Sequence, residues 1–314
     1  MKAVLQYRAS PGFRSRLEAA APSWLRIVVV PESDRVGFAA EMGDADVLLH
    51  VLEPVPADVI EAAPALKLIQ KIGVGVNTID LAAARARGVA VANMPGTNSQ
   101  AVAEHALALM LAVLRRVVTL DRAMRAGEGW SLPSETFDRV GEIAGRTVGL
   151  IGYGEVPRRL APVLAALGAR VLYTCRQPKP NAAGEFRMLD SLLAESDIVS
   201  LHVPLTAATE RLIGTRELAR MKRGGVLINT ARGGLVDERS LESALRSGHL
   251  LGAGLDVVAV EPTPSGYPLF ALDNVVVSPH IAWTTPETFS RSLAIAIENC
   301  RRVRDGEPLL HRIE

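Results

Sequence analysis

Three short segments in the last third of the chain carry side chains that could bind a carboxylate and move a proton. They are NTARGG (229–234), DVVAVEP (256–262) and SPHIAW (278–283), which supply Arg232, Glu261 and His280. An arginine guanidinium can hold a carboxylate through two parallel hydrogen bonds. A histidine transfers protons near neutral pH, and a neighbouring carboxylate can orient its imidazole. With a nicotinamide cofactor, these groups are sufficient to reduce a 2-keto acid.

A glycine-rich turn lies upstream of these segments. The sequence VGLIGYGEVP (148–157) leads from a predicted strand at 147–151 into a predicted helix at 155–167. Backbone N–H groups and the helix dipole at such a junction bind a pyrophosphate. Gly152 allows the tight turn and Gly154 allows the phosphates to approach closely, so the segment predicts a dinucleotide site.

Pro157 stands where the fingerprint of such turns has its third glycine. A proline in the first turn of a helix gives up an N–H that has no intrahelical partner, so the helix should still form. We therefore expect dinucleotide binding to be retained.

The strand predicted at 170–174 ends without the carboxylate that usually binds the adenosine ribose. Cys175 and Arg176 follow it instead, and Lys179 comes shortly afterwards. Loss of the acid removes repulsion of a 2′-phosphate, and the guanidinium supplies a partner for it. The alternative is that the two basic residues belong to an ordinary solvated loop. Because the missing acid and the added base occur together, the sequence favours NADP(H), and NAD(H) remains possible.

Short apolar runs alternate with helical segments on both sides of residue 100. Strands are predicted at 2–7, 25–30, 46–51, 66–72, 89–92, 147–151, 170–174, 198–203, 226–229, 253–257 and 275–278. Helices are predicted at 78–87, 155–167, 189–195, 216–221, 238–247 and 286–304. This alternation is typical of parallel sheets with helices on both faces, and it predicts two Rossmann-like, doubly wound α/β lobes.

The predicted strands also indicate where the polar side chains meet. Arg232, Asp256 and His280 each follow the end of a predicted strand. Ligands of such folds gather at the carboxyl ends of the parallel strands, so these residues should lie at one edge of the sheet. Each of them separately could be a surface ion-pair residue.

The segment 100–118 is predicted to form one long helix, apolar over most of its circumference from 101 to 114. Such a helix should be buried between layers or against a partner. His105 on this helix is interpreted as a satisfied interior group rather than a ligand. Residues 127–141 are predicted to form a connecting loop.

Composition excludes several classes of function. The 314 residues suffice for two domains, and 48% hydrophobic with 22% charged residues is typical of a globular protein. A formal charge of +1 and 4% aromatic residues argue against nucleic-acid binding. Two cysteines are too few for a disulfide framework or a zinc site. The start resembles no signal peptide and the longest apolar run is too short to cross a bilayer, so we expect a cytoplasmic protein without metal or membrane.

Longer motifs resemble those of the D-isomer-specific 2-hydroxyacid dehydrogenases. They are INTARGGLVDERSL (228–241), AGLDVVAVEP (253–262) and VVVSPHIAW (275–283). The segment LYTCRQPKPNAAGEF (172–186) is similar to that of NADPH-dependent glyoxylate/hydroxypyruvate reductases. The resemblance covers the whole chain and implies a homodimer with the active site in a cleft between two domains. It implies a substrate-binding domain of residues 1–98 and 284–314 and a dinucleotide-binding domain of residues 99–283.

The resemblance also implies roles for individual residues. Arg232 would hold the substrate carboxylate and polarise its carbonyl, while His280 would give a proton to the carbonyl oxygen. Glu261 would hydrogen-bond His280, and Asp256 would bind the nicotinamide carboxamide. Further residues implied to contact the cofactor are Glu155, Val156, Pro204, Thr209, Thr230 and Ala231.

The sequence KIGVGVNTID (71–80) matches the carboxylate-binding loop of the same family. The N–H groups of Val74 and Gly75 should therefore face the substrate. Asn77 departs from the family, which often has an aspartate there, and this change should affect support of the loop.

These observations predict an NADPH-preferring reductase of small 2-keto acids, with glyoxylate and hydroxypyruvate as the first substrates to consider. A short form of D-3-phosphoglycerate dehydrogenase is an alternative within the same family. A second alternative is a non-catalytic protein on the same fold that binds the dinucleotide as a sensor. Turnover of a keto acid would distinguish the enzyme from the sensor.

Overall fold

The computed structural model describes residues 1–313, and the chain folds into two compact units. The first unit consists of Met1–Asn98 and Thr284–Glu314, and the second consists of Ser99–Trp283. Each unit contains one sheet with helices packed against it. The predicted fold class of two parallel-sheet α/β domains is confirmed.

The first unit has six described strands. They are β1 (Lys2–Gln6), β2 (Arg26–Val30), β3 (Val47–His50), β4 (Leu68–Lys71), β5 (Ala90–Ala92) and β13 (Arg312–Ile313). Its helices are α1 (Pro11–Ala20), α2 (Arg35–Met42), α3 (Ala57–Glu61), α4 (Leu81–Ala86) and α11 (Pro286–Asp305). The strand order is β13-β5-β4-β3-β1-β2, and β13 is antiparallel to β5 while the other pairs are parallel. The order of β1 to β5 is that of the flavodoxin-like doubly wound sheet.

The second unit has a seven-stranded parallel sheet. Its strands are β6 (Thr147–Ile151), β7 (Arg170–Thr174), β8 (Glu185–Phe186), β9 (Ile198–Leu201), β10 (Gly225–Asn229), β11 (Leu250–Leu255) and β12 (Val275–Val277). Its helices are α5 (Ser99–Leu114), α6 (Val117–Arg125), α7 (Glu155–Ala166), α8 (Leu189–Glu195), α9 (Thr215–Arg220) and α10 (Glu238–Arg246). The strand order, β12-β11-β10-β9-β6-β7-β8, is that of the Rossmann sheet.

Alternate residues of these strands contribute their side chains to two apolar clusters, one on each face of the sheet. One cluster includes side chains of α8, α9 and α10, and the other includes side chains of α5 and α7. Strands buried on both faces must be continuously apolar, which explains why the sequence predicted them as unbroken apolar runs.

The register of the second sheet aligns the ends of its central strands. Across the sheet, the paired residues at this row are Ile151, Leu201, Asn229, Leu255 and Val277. The residues that come next in the chain are Gly152, His202, Thr230, Asp256 and Ser278. The predicted polar segments therefore leave the sheet along one edge, beside the point where the strand order reverses between β6 and β9.

The predicted strands are present, with ends that differ by up to three residues from those predicted. The helix predicted at 78–87 is shorter, because the Asp80 side chain accepts a hydrogen bond from the Ala83 N–H and starts α4 at Leu81. Helices α1, α2 and α3 lie between the first strands, where helical segments were predicted without bounds, and the short edge strands β8 and β13 were not predicted.

The prediction of one long helix at 100–118 is wrong at the C-terminal end of that helix. Helix α5 ends at Leu114, Arg116 adopts a left-handed conformation (φ 51°), and α6 then begins. The carbonyl of Leu114 accepts the N–H of Gly141 instead of continuing the helix. The apolar stretch of α5 packs against α7, β10 and β11 of its own unit, which is the first of the two predicted alternatives, burial between layers or against a partner.

The burial of His50 at the end of β3 predicts that the stability of the protein depends on pH. This residue is 3% exposed, and its Nδ1 atom has no hydrogen-bond partner within the described chain. Burial, reinforced by the charge of Lys71, lowers the pKa of His50 to about 3. Below pH ~6.5 the unfolded chain binds a proton that the folded protein does not, so stability falls as the pH falls.

We expect the free energy of unfolding to fall by about 2 kcal/mol more between pH 6.5 and pH 5 in the parent than in His50→Gln. Denaturant titrations of both proteins at the two pH values measure this difference. Equal changes with pH in the two proteins would show that His50 is not the group responsible.

Candidate active site

Arg232 is held in a turn that begins at the end of β10. Asn229, buried at the last position of that strand, donates from Nδ2 to the Arg232 carbonyl (2.8 Å) and accepts the Ala231 N–H at Oδ1 (3.0 Å). Gly233 packs so closely on the next segment that a Cβ would lie 1.9 Å from the Val258 carbonyl carbon. Glycine is therefore required there, and the turn that carries Arg232 is fixed against the loop after β11.

The electrostatics of Arg232 suit an anion-binding role. Burial lowers the pKa of the guanidinium, and the negative charge of Glu261 opposes this effect. An arginine stays protonated at neutral pH even when its pKa is lowered. Its side chain is thus a half-buried cation in an environment where attraction to a carboxylate is stronger than in water.

Glu261 and His280 form a direct pair. The Nδ1 atom of His280 lies 2.6 Å from Oε2 of Glu261, and the other carboxylate oxygen accepts the Val258 N–H at 3.0 Å. Partial burial by itself raises the pKa of Glu261, but the contacts with His280 and Val258 and the charge of Arg232 outweigh burial and lower it. Glu261 is therefore an anion at neutral pH, and it orients the imidazole so that Nε2 is left to act on a substrate.

This pairing predicts a change in the pH dependence of catalysis for Glu261→Gln. The amide can still hydrogen-bond His280, but it does not stabilise the protonated imidazole as a carboxylate does. We expect Glu261→Gln to lose reduction activity near neutral pH, and to lose more of it toward alkaline pH than the parent does. The pKa of Glu261 lies below its ordinary value of 4.5. In the parent, protonation of Glu261 should therefore not disrupt its contact with His280 above that pH. A variant with the parental pH–rate profile would show that the two side chains are not coupled.

Asp256 lies beneath the segment that carries His280. Its side chain is almost fully buried, and its carboxylate accepts the N–H groups of Ile281 and Ala282 (both 2.9 Å) and the hydroxyl of Ser278 (2.6 Å). The carboxylate thus supports the loop after β12 in addition to any contact with a cofactor.

The glycine turn has the geometry that the sequence predicted. Gly152 has φ +98°, and a Cβ there would lie 2.4 Å from the carbonyl oxygen of His202, so another residue would not fit. Helix α7 starts directly after Gly154, and no side chain caps its first turn. Pro157 lies in that first turn and the helix continues through it, as expected. The uncapped N–H groups of this twelve-residue helix remain available to an anion.

Two further observations show that the residues present fit a dinucleotide. A Cβ at Gly154 would meet nothing within 4 Å, so there is open space beside the turn. Thr230 Oγ1 is buried and has no hydrogen-bond partner within residues 1–313. A buried polar atom without a partner is costly unless a ligand satisfies it.

The remaining cofactor residues implied by the resemblance lie on the same edge of this unit. Glu155 and Val156 open α7, and Ala231 follows Thr230 in the turn after β10. Thr209 donates its hydroxyl to the carbonyl of Pro204 (2.6 Å), which closes the loop after β9.

The loop after β7 presents Cys175, Arg176 and Lys179. Arg176 and Lys179 are exposed, and neither forms an ion pair with any described residue. Tyr173 fixes the loop by accepting the Lys179 N–H at 3.0 Å, and Cys175 donates to the Gln177 carbonyl (2.9 Å). The loop thus offers two uncompensated cations on an ordered backbone.

Val74 and Gly75 lie in the first unit, in the loop after β4. The Val74 carbonyl accepts Asn93 Nδ2 (2.9 Å) and the Gly73 carbonyl accepts the Met94 N–H (2.8 Å), which fixes the loop. The N–H groups of Val74 and Gly75 have no hydrogen-bond partner among the described residues. They remain candidates for binding a carboxylate.

Sequence reasoning missed several residues that support the site. Asn229 fixes the Arg232 turn, and Glu238 accepts the Ala259 N–H (2.8 Å) and the Tyr267 hydroxyl beside the Glu261 loop. Ser278 joins Asp256 to His105. Asn229 could have been found, because a polar residue at the end of a buried apolar strand needs a specific partner. The contacts of Glu238 and Ser278 join distant segments and leave no local pattern.

Comparison with known proteins gives matches to one family. The family model described as "D-isomer specific 2-hydroxyacid dehydrogenase, NAD binding domain" matches residues 107–282. Glyoxylate reductase of Korarchaeum cryptofilum is 41% identical over 283 residues, which cover 88% of this chain and 85% of that protein. D-3-phosphoglycerate dehydrogenase of Mycobacterium leprae is 42% identical over 279 residues, which cover 87% of this chain but 52% of that protein.

A solved structure shares the fold of this chain. The TT0316 protein from Thermus thermophilus superposes with a TM-score of 0.89 and is 38% identical, and both chains are covered completely. Among the described residues, no helix is both long and apolar enough to cross a membrane. From its motifs, its fold and these relatives, the chain belongs to the D-isomer specific 2-hydroxyacid dehydrogenase family and is an oxidoreductase that uses a nicotinamide dinucleotide.

Proposed function

We propose that this protein reduces small 2-keto acids with NADPH, and that glyoxylate and hydroxypyruvate are its substrates. The observation that carries the proposal is the 2.6 Å contact between Glu261 and His280, with the cation of Arg232 acting on the same carboxylate. The similarity to archaeal glyoxylate reductases supports the choice of substrates.

Arg232 binds the substrate in this proposal. Its guanidinium holds the substrate carboxylate and draws electron density from the adjacent carbonyl. The N–H groups of Val74 and Gly75 bind the same carboxylate from the loop after β4. The substrate is thereby oriented with its carbonyl toward His280.

His280 supplies the proton. Its Nδ1–H donates to Glu261, so the protonated imidazole gives up the proton on Nε2 to the carbonyl oxygen of the substrate. The anion of Glu261 stabilises the cationic imidazole before the transfer and keeps its orientation afterwards. A reduced nicotinamide, when bound, supplies the hydride for the carbonyl carbon.

The chain holds the cofactor at the edge of the second sheet. The turn at Gly152 and Gly154 and the start of α7 bind the pyrophosphate, and Thr230 Oγ1 gains the partner that it lacks. The other proposed contacts come from Glu155, Val156, Pro204, Thr209, Ala231 and Asp256. Arg176 and Lys179 bind the 2′-phosphate, which is the basis for proposing NADPH over NADH.

The experiment is a comparison of kcat/KM for four acids with each cofactor. The proposal predicts turnover of glyoxylate and hydroxypyruvate with NADPH, and lower values for pyruvate and 3-phosphohydroxypyruvate. A preference for 3-phosphohydroxypyruvate would favour the second candidate, D-3-phosphoglycerate dehydrogenase, which the Mycobacterium leprae relative supports. Tight cofactor binding without turnover of any acid would identify a dinucleotide sensor instead.

We also propose a homodimer. Several large apolar side chains in and after α5 are exposed in the single chain, namely Leu111, Val117, Val118, Met124, Trp130 and Phe137. Large exposed apolar side chains concentrated in one stretch of chain favour burial against a partner. Light scattering should give twice the chain mass of 33.5 kDa, and a mass equal to that of one chain would contradict the proposal.

A further inference from the structure

The backbone of His280 has an uncommon conformation that the surrounding chain must maintain. Its φ of +54° lies in the left-handed region, which side chains other than glycine rarely adopt. Three successive N–H groups, those of His280, Ile281 and Ala282, all bond to Asp256, the first to its carbonyl (2.8 Å) and the others to its carboxylate (2.9 Å each). Asp256 therefore organises the turn that presents the imidazole.

The orientation of the Asp256 carboxylate is in turn set by Ser278 and His105. The Ser278 hydroxyl donates to Asp256 Oδ1 at 2.6 Å, which uses its only proton. Nε2 of His105 lies 2.8 Å from the same hydroxyl, so His105 must donate there. His105 thus belongs to a chain of hydrogen bonds that runs from α5 through Ser278 to Asp256.

His105 also lies close to this buried anion. Its Nε2 is 3.5 Å from Asp256 Oδ1. A buried carboxylate is stable only when hydrogen bonds or opposite charge compensate it. Removal of His105 would remove its hydrogen bond to Ser278 and its contact with Asp256. The Ser278 side chain could then rotate away from the carboxylate.

We infer that His105 is a positioning residue for catalysis, which acts through Ser278 and Asp256 to keep His280 in its left-handed conformation. The inference rests on the proposed role of His280 as proton donor. No hydrogen bond or ion pair joins His105 to His280, Glu261 or Arg232, so its removal should affect the placement of the imidazole and leave the guanidinium that binds the keto acid in position.

The test compares His105→Leu with His105→Gln, whose side-chain amide can place a donor where Nε2 of the imidazole lies. We expect His105→Leu to lower kcat roughly tenfold to a hundredfold, since small displacements of a reacting group have effects of that size. KM for the keto acid should stay within about threefold of the parent. His105→Gln should recover most of the lost kcat.

Leu107→Ala is the matched control, because Leu107 is a half-buried residue of α5 that packs on the core without a part in this hydrogen-bond chain. It should lower the melting temperature but not kcat. If His105→Leu keeps the parental kcat, if His105→Gln is as impaired as His105→Leu, or if Leu107→Ala loses kcat equally, the inference is wrong.

Hydrogen exchange of the peptide that covers residues 278–283 gives a readout that needs no turnover. The amides of Ile281 and Ala282 bond to a buried carboxylate, so they should exchange roughly tenfold or more faster in His105→Leu than in the parent or His105→Gln. Equal exchange in the three proteins would overturn the inference. A parent that reduces no keto acid would instead refute the proposed function, and the exchange result would still decide the structural role of His105.

Discussion

Replacing His280 by alanine should lower kcat for keto-acid reduction by roughly 10²–10⁴-fold, the range for loss of a general acid. The affinity for NADPH should change little, because the proposed phosphate and ribose contacts lie in other loops. Initial rates and the binding of NADPH, measured on the same preparation, separate the two effects. Parental kcat in His280→Ala would rule out the proton-donor role.

Arg232→Ala should impair substrate binding as well as turnover, in contrast to His280→Ala. Arg232 contacts the substrate carboxylate both before and during the reaction, so its loss should raise KM and lower kcat together. A variant in which only kcat falls would mean that the guanidinium does not bind the substrate in the ground state.

The cofactor preference should reverse in the double variant Cys175→Asp/Arg176→Ala. A hydrogen bond between charged groups contributes about 1.5–3 kcal/mol, so Arg176→Ala alone should weaken NADPH roughly tenfold to a hundredfold. NADH binding should hardly change. In the double variant the new carboxylate repels the 2′-phosphate and accepts the ribose hydroxyls, so NADH should become the preferred cofactor. Values of kcat/KM with both cofactors measure the change.

Arg223→Ala is a suitable control for this experiment. Arg223 is exposed and lies just before β10, at the opposite edge of the sheet from the glycine turn. Its removal changes the net charge equally, so any general effect of charge on NADPH binding would appear there too. A parent that prefers NADH, or an Arg176→Ala variant that weakens both cofactors equally, would contradict the proposed phosphate contact.

The fold of the second unit was predictable because residues close together in the sequence determine its strands and its glycine turn. A strand buried on both faces must be apolar throughout, and a phosphate-binding turn must have glycine where a Cβ would clash, as at Gly152. Where long-range contacts decide the structure, the prediction failed. The end of α5 at Leu114 depends on a hydrogen bond from Gly141, 27 residues later, which no helical periodicity reveals.

Some residues of the candidate site can likewise be predicted from short motifs, and others depend on contacts between distant parts of the chain. Arg232, Glu261 and His280 were identified because each lies in a short motif at the end of a strand, and the structure adds the contact between Glu261 and His280. His105 was interpreted as a satisfied interior group, and it does have a partner, but that partner is Ser278, 173 residues away. The support of a site by distant hydrogen bonds cannot be read from spacing along the chain.

The most direct test of the proposed activity is the reduction of hydroxypyruvate by the parent protein with NADPH, followed by chiral analysis of the glycerate formed. We predict oxidation of NADPH in step with formation of D-glycerate, and loss of both in His280→Ala. No oxidation of NADPH above the uncatalysed rate, or formation of L-glycerate, would contradict the proposed activity.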